Sequence, residues 1–156
     1  MFMKQAPDSP VMQDLVLIGG GHSHVIALKM LAMRDLPGVQ ITLISNSHLT
    51  PYSGMLPGLI AGHYSYESVH IDLARLCRAL GVRFIEDDVV GINLSAQTIQ
   101  CAKHPDFAYD IVSIDIGSSP DRQAIPGAKS FTCGVKPVEC FLSYWADLQQ
   151  KILYQD

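Results

Sequence analysis

Apolar positions along the chain fall into short blocks separated by glycine, proline and polar clusters. Leu15-Val-Leu-Ile18 and Val39-Gln-Ile-Thr-Leu-Ile44 are nearly continuous apolar runs, too short for helices and β-branched enough for strands that a parallel sheet buries on both faces. Between them Val25, Leu28, Leu31 and Ala32 recur at helical spacing, and Pro37-Gly38 stops the segment. The pattern predicts a strand from about Asp14 to Ile18, a helix from His22 to about Arg34 and a strand over Val39 to Ile44, which together make a βαβ unit.

Further on, Leu73, Leu76, Cys77 and Leu80 share one face of a predicted helix over Ile71 to Leu80, which Gly81 ends. Val82 to Ile85 reads as a third parallel strand. Val89 to Leu94 and Thr98 to Cys101 read as a small antiparallel hairpin. Tyr109 to Gly117 reads as another buried strand, and Val138, Phe141, Leu142, Trp145, Leu148 and Ile152 give helical spacing over Pro137 to Leu153. The expected fold is α/β: a Rossmann-like parallel sheet with flanking helices and a small antiparallel hairpin, spanning residues 14–156. Met1 to Gln13, with Pro7 and Pro10 opposing regular structure, is expected to be a flexible leader.

Composition narrows the function classes. The 156 residues are 48% hydrophobic and 17% charged, the balance of one ordinary globular domain. Net charge is −4 and the 11 Lys and Arg are scattered, so nucleic acid is not an expected partner. No apolar run approaches a membrane span and the first residues do not form a signal peptide, which sets a cytoplasmic expectation. The four cysteines have neither Cys-x-x-Cys nor zinc-like spacing; buried reduced thiols are expected, with a Cys133–Cys140 redox pair as the alternative.

Candidate chemistry begins where the first strand ends. Gly19-Gly20-Gly21 followed by a helix is the turn that cradles a pyrophosphate: Gly19 allows the sharp turn and Gly21 allows close approach of the backbone. Gly21→Val is then expected to remove dinucleotide binding and leave the fold largely intact. The third glycine of the fingerprint is replaced by His24. A purely structural strand-to-helix turn is the alternative. After the second strand, where a carboxylate commonly binds ribose, stand Ser45-Asn46-Ser47, whose hydroxyls and amide can hydrogen-bond without that charge. The stretch from His48 to His63 is rich in Pro and Gly yet apolar; it reads as a loop lying against a flat ligand, or as a packed loop with a short helix near Leu59. Glu86-Asp-Asp88 reads as a solvated turn rather than a metal site. Asp115, an acid inside an apolar strand, points to an edge, a bound group or a backbone N–H.

Four motifs in order, Gly19-Gly-Gly-His-Ser-His24, Pro51-Tyr-Ser-Gly-Met-Leu-Pro-Gly58, Phe84-Ile-Glu-Asp-Asp-Val89 and Tyr109-Asp-Ile-Val-Ser-Ile-Asp-Ile-Gly-Ser118, resemble the N-terminal part of the FAD-dependent pyridine nucleotide-disulfide oxidoreductase superfamily. Within it the sequence is most similar to type II NADH dehydrogenase-like flavoproteins, in particular the flavoprotein domain fused to selenide, water dikinase. The resemblance implies a glutathione-reductase-like FAD domain. In it Gly19, Gly20 and Gly21 hold the FAD pyrophosphate, Ser45 and Asn46 face the adenosine ribose, and Val89 meets the adenine through its backbone. The Pro51 to Leu56 loop, with Tyr52 and Met55, approaches the isoalloxazine, and Gly117 closes the site. His22, Ser23 and His24 lie beside the pyrophosphate turn, where the two histidines tune the cofactor or fill space.

The implied activity passes electrons from NAD(P)H through FAD to an acceptor such as a quinone. No Cys-x-x-x-x-Cys follows the first helix, so disulfide reduction is not implied. Family members continue into an NAD(P)H-binding domain that the chain is expected to lack. The implied partners are therefore a nicotinamide cofactor, or a partner chain that supplies that domain. A non-catalytic FAD- or nucleotide-binding module acting through a partner chain is the alternative function, and a homo-oligomer would be one way to cover an unfinished sheet.

Overall fold

The computed structural model describes residues 10–119 and 121–153; the first nine residues of the expected leader lie outside them. In chain order the elements are β1 (Gln13–Ile18), α1 (His22–Ala32), β2 (Val39–Ser45), β3 (Leu49–Pro51), α2 (Leu56–Ile60), β4 (His70–Asp72), α3 (Leu73–Leu80), β5 (Arg83–Glu86), β6 (Val89–Asn93), β7 (Thr98–Cys101), β8 (Phe107–Ala108), β9 (Ile111–Ile114), α4 (Ala128–Phe131) and α5 (Val138–Leu153). The chain divides into two compact units, one ending at Ile116 and one beginning at Gly117.

The first unit is built on a four-stranded parallel sheet in the order β5-β2-β1-β9. Because side chains alternate across a strand, its apolar runs feed two cores. Leu17 and Leu43 face α1 and α3, packing with Val25, Leu28, Leu73 and Cys77. Val16, Ile18 and Ile44 face the other way, against Ile99 and Tyr109, with Ile92 and Phe107 beside them. Helices therefore cover one face of the sheet and the antiparallel sheet β6-β7-β8 covers the other. Leu28, Leu43 and Leu73 are fully buried, each contributing about 2 kcal/mol of apolar transfer. Thr42, also buried in the sheet, accepts a hydrogen bond from Arg83 Nε at 2.9 Å.

The strands and α1 lie where the apolar pattern puts them, with shifted ends. β9 is shorter than the expected Tyr109–Gly117 run and, as an edge strand, is largely exposed against the expected burial, with Ile111 and Ile114 among its exposed residues. α3 starts at Leu73 because the Asp72 carboxylate caps it, accepting from Arg75 N at 2.8 Å, and Gly81 closes it at φ 70°. Residues His70–Asp72 pair as β4 with β3 in a small antiparallel ribbon. The expected hairpin gains a third strand, β8.

The second unit carries α4 and α5. Arg122 Nη1 donates to the Thr132 carbonyl at 2.7 Å, tying the segment before α4 to the residue after it. α5 spans the predicted stretch with Val138 buried. No helix among the described residues is long and apolar enough to cross a membrane. All four cysteines are free thiols: Cys77 is buried as expected and burial pushes its pKa up to about 11, whereas Cys140 is exposed, against the expectation of burial.

Candidate nucleotide-binding site

β1 ends at Ile18, and the chain turns at Gly19 with φ 93°. Gly19 N–H donates to the Ile44 carbonyl at 2.7 Å and Gly21 N–H to the Asp115 carbonyl at 3.1 Å, so the turn hangs between the C-terminal ends of β2 and β9. In an open parallel sheet this is the end at which ligands bind.

α1 begins at His22 with no side-chain cap from Gly21 and no acid in its own first turn. One of its free N–H groups, that of His24, donates to Asp115 Oδ2 at 3.2 Å. Among the described residues the N–H groups of Gly20, His22 and Ser23 have no partner in the chain. Three unused donors at a helix N-terminus suit a phosphate group, which needs nothing but N–H donors and a positive dipole end. On this observation the residues fit a dinucleotide.

The reason for glycine at these positions is more particular than the sequence pattern suggests. A Cβ on Gly19 would lie 2.3 Å from the Asp115 carbonyl oxygen, one on Gly20 2.3 Å from Leu73 Cδ1, and one on Gly21 2.2 Å from the Asp115 carboxyl carbon. At Gly19 the neighbour is backbone and φ is positive, so the protein's own atoms demand glycine there; at Gly20 and Gly21 the neighbours are the side-chain ends of Leu73 and Asp115, which a Cβ would have to displace. Gly21→Val would have to displace the Asp115 carboxylate, so loss of binding in that variant is read together with its thermal unfolding.

His24 is buried and uses both ring nitrogens. Nδ1 lies 2.7 Å from the Gly19 carbonyl, which can only accept, so Nδ1 donates; Nε2 pairs with the Ser113 hydroxyl at 3.0 Å. In place of the third glycine stands a side chain that ties the turn to β9.

Ser45 closes β2, largely buried, with its Oγ 3.2 Å from where a Cβ on Gly20 would be. Asn46, next to it, is exposed. The Pro51 to Leu56 segment reaches the turn through one contact: the rings of His22 and Tyr52 stack with centroids 4.7 Å apart. Tyr52 is anchored by its N–H to the Val69 carbonyl at 2.8 Å; Tyr52, Ser53 and Gly54 are exposed, while Met55 is half-buried and Leu56, at the start of α2, is buried. Val89 starts β6, paired with Cys101 and packed against the second core. Gly117 has φ 74° and opens the second unit.

The structure thus brings together Gly19, Gly20, Gly21, His22, Ser23, His24, Ser45 and Tyr52, and adds Leu73, Ser113 and Asp115. Of the additions only Asp115 carried a signal in sequence, as an acid within an apolar strand.

In the acidic turn Glu86 and Asp88 are exposed as expected, and only Asp87 departs from the solvated state. Asp87 is buried and its carboxylate accepts from the N–H groups of Asp88, Lys103 and His104 and from His104 Nδ1, the last at 2.6 Å. Burial pushes the carboxyl up, and the hydrogen bonds from His104 Nδ1 and the three backbone N–H groups outweigh it and hold the pKa at about 2. Asp87 N–H donates to the Ser45 carbonyl at 2.9 Å, so this carboxylate fixes a turn that supports the end of β2.

No family model matches the chain. A sulfide-quinone reductase of Aquifex aeolicus (strain VF5) is 28% identical over 106 residues, covering 67% of this chain and 24% of that protein. The crystal structure of the sulfide:quinone oxidoreductase from Aquifex aeolicus superposes with a TM-score of 0.74 at 23% identity, over 91% of this chain and 33% of the other. NDH2 from Plasmodium falciparum, in complex with NADH, gives 0.68 at 18% identity over 84% and 27%. An NAD-dependent persulfide reductase from A. fulgidus gives 0.67 at 18% identity over 86% and 28%. The chain spans 24% of the length of its curated relative and 33% of the first of these structures. At such identities the likeness is one of fold, and the fold of this chain is the one these quinone-linked and pyridine-nucleotide-linked oxidoreductases share.

Proposed function

We propose that this chain is the FAD-binding part of an NAD(P)H-dependent flavoprotein oxidoreductase that passes electrons from a nicotinamide cofactor to an acceptor of the quinone kind, in the cytoplasm. The observation that carries the reading is the set of unused N–H groups of Gly20, His22 and Ser23 on a glycine turn at the C-terminal end of a parallel sheet. The fold shared with the oxidoreductases named above supports it.

In this reading Gly19, Gly20 and Gly21 with the start of α1 bind the pyrophosphate through backbone N–H groups. Ser45 Oγ and the Asn46 amide hydrogen-bond the adenosine ribose, and the Val89 backbone meets the adenine. The stacked His22 and Tyr52 rings, with Met55 and Leu56 behind them, orient the flavin end and exclude water from it. FAD, when bound, supplies the hydride and electron chemistry, and the protein supplies position and electrostatics. A second reading, a nucleotide-binding module that works through a partner chain, is favoured by the exposed isoleucines of the sheet's edge, Ile111, Ile114 and Ile116.

The deciding experiment is the visible absorption spectrum of the purified protein with any released cofactor identified by chromatography, followed by addition of NADH. A flavin spectrum with FAD released is the expected result, and bleaching by NADH selects the oxidoreductase over the module. A colourless protein that takes up no added FAD would sink the flavoprotein reading.

A further inference from the structure

The acid that caps α1 comes from another strand. Asp115 lies just past β9, with its N–H donating to the Ile18 carbonyl at 2.8 Å and its carbonyl accepting from Gly21 N–H at 3.1 Å, so its backbone is held at two points against the glycine turn. Its carboxylate packs on the bare Cα of Gly21 and takes the His24 N–H. A fixed negative charge therefore occupies one donor at the helix N-terminus, while the donors of Gly20, His22 and Ser23 within the same turn stay open. Anything anionic drawn to those three groups shares the helix end with this carboxylate.

From this we infer that Asp115 is a specificity-determining residue of the nucleotide site, selecting phosphates that are esterified at both ends over terminal phosphates. The inference rests on the proposed nucleotide-binding reading. A pyrophosphate bridging two groups carries one negative charge on each phosphate, whereas the terminal phosphate of a nucleoside diphosphate carries close to two at pH 8. Repulsion by a neighbouring carboxylate grows with that charge, and one extra unit at a separation of several ångströms in a half-exposed site is a penalty of roughly three- to tenfold in affinity. Helix dipole and N–H donors attract both ligand classes, and the carboxylate supplies the discrimination between them.

The test compares ADP with ADP-ribose, which differ in whether the second phosphate is esterified, on the wild-type protein and on Asp115→Asn. The amide keeps the shape of the side chain and an oxygen to accept from His24 N–H. Affinities are read by calorimetric titration at pH 8, with FAD titrated alongside and thermal unfolding used to confirm that the variant folds. Asp115→Ser is a second variant should the amide fail to fold. The expected result is that Asp115→Asn tightens ADP about threefold or more and ADP-ribose by less than about twofold, so that the preference for the esterified ligand shrinks. An unchanged preference in a folded variant overturns the inference and leaves the nucleotide site standing, as does loss of ADP-ribose binding, which would make Asp115 a holder of the ligand. Failure of ADP, ADP-ribose and FAD to bind either protein overturns the site reading and the inference with it.

Discussion

His24 illustrates what a single substitution in a glycine fingerprint does to the local physics. A glycine there lets a helix approach a strand closely; an imidazole instead fills the gap and spends both nitrogens on it, one on the Gly19 carbonyl and one on Ser113. Sequence alone left the ring between tuning a cofactor and filling space, because a histidine's partners depend on β9, which is far away in the chain. With both nitrogens occupied by the protein, the structural role is the one the geometry supports. His24→Ala removes two hydrogen bonds and most of a buried ring, and a loss of about 2–4 kcal/mol in urea-unfolding free energy is expected. A loss below about 0.5 kcal/mol would show that the ring does not brace the turn.

At the scale of elements, the β7–β8 connection depends on one carboxylate. Asp87 gathers the N–H groups of Lys103 and His104 and the His104 ring, and its own N–H ties the cluster to β2 through Ser45. An unfolded carboxyl titrates near 3.8 and this one near 2, so its contribution is complete above about pH 4 and is lost as the pH falls from there toward 2. Against wild type, Asp87→Asn should be less stable at pH 7, with a melting temperature lower by about 4 °C or more. The difference should close between pH 4 and pH 2; a difference that stays constant over that window would show that the charge on Asp87 is not what holds the turn. In sequence, three adjacent acids read as solvent-facing because burial of the middle one depends on donors more than fifteen residues later. The α3 boundary had a local cause that was available, the Asp72 cap, whereas the expected start at Ile71 lies two residues too early.

For the whole molecule, the legible part of the fold is the part written in long apolar runs. β1, β2 and β9 and the helix α1 follow from their periodicity, and the parallel sheet from their near-continuous hydrophobicity. The β3–β4 ribbon and β8 have two or three residues each, too few to show a period, and exist through pairing with partners that only the folded chain supplies. The same division holds in the site. The glycine turn and Ser45 are readable because each stands at the end of a strand that the apolar pattern already marks. Leu73 and Ser113 reach the turn through tertiary packing, which no local pattern encodes.

The interior position of β1 has a consequence for motion. Bonded to β2 on one side and β9 on the other, its amides from Leu15 to Ile18 should be among the last to exchange with deuterium, while the amides of Gly20, His22 and Ser23, a few residues on, exchange among the first. The slowest and fastest protons of the first unit are thus expected within the one short stretch from Leu15 to Ser23. A phosphate bound as proposed would announce itself as three newly slowed amides beside an unchanged strand.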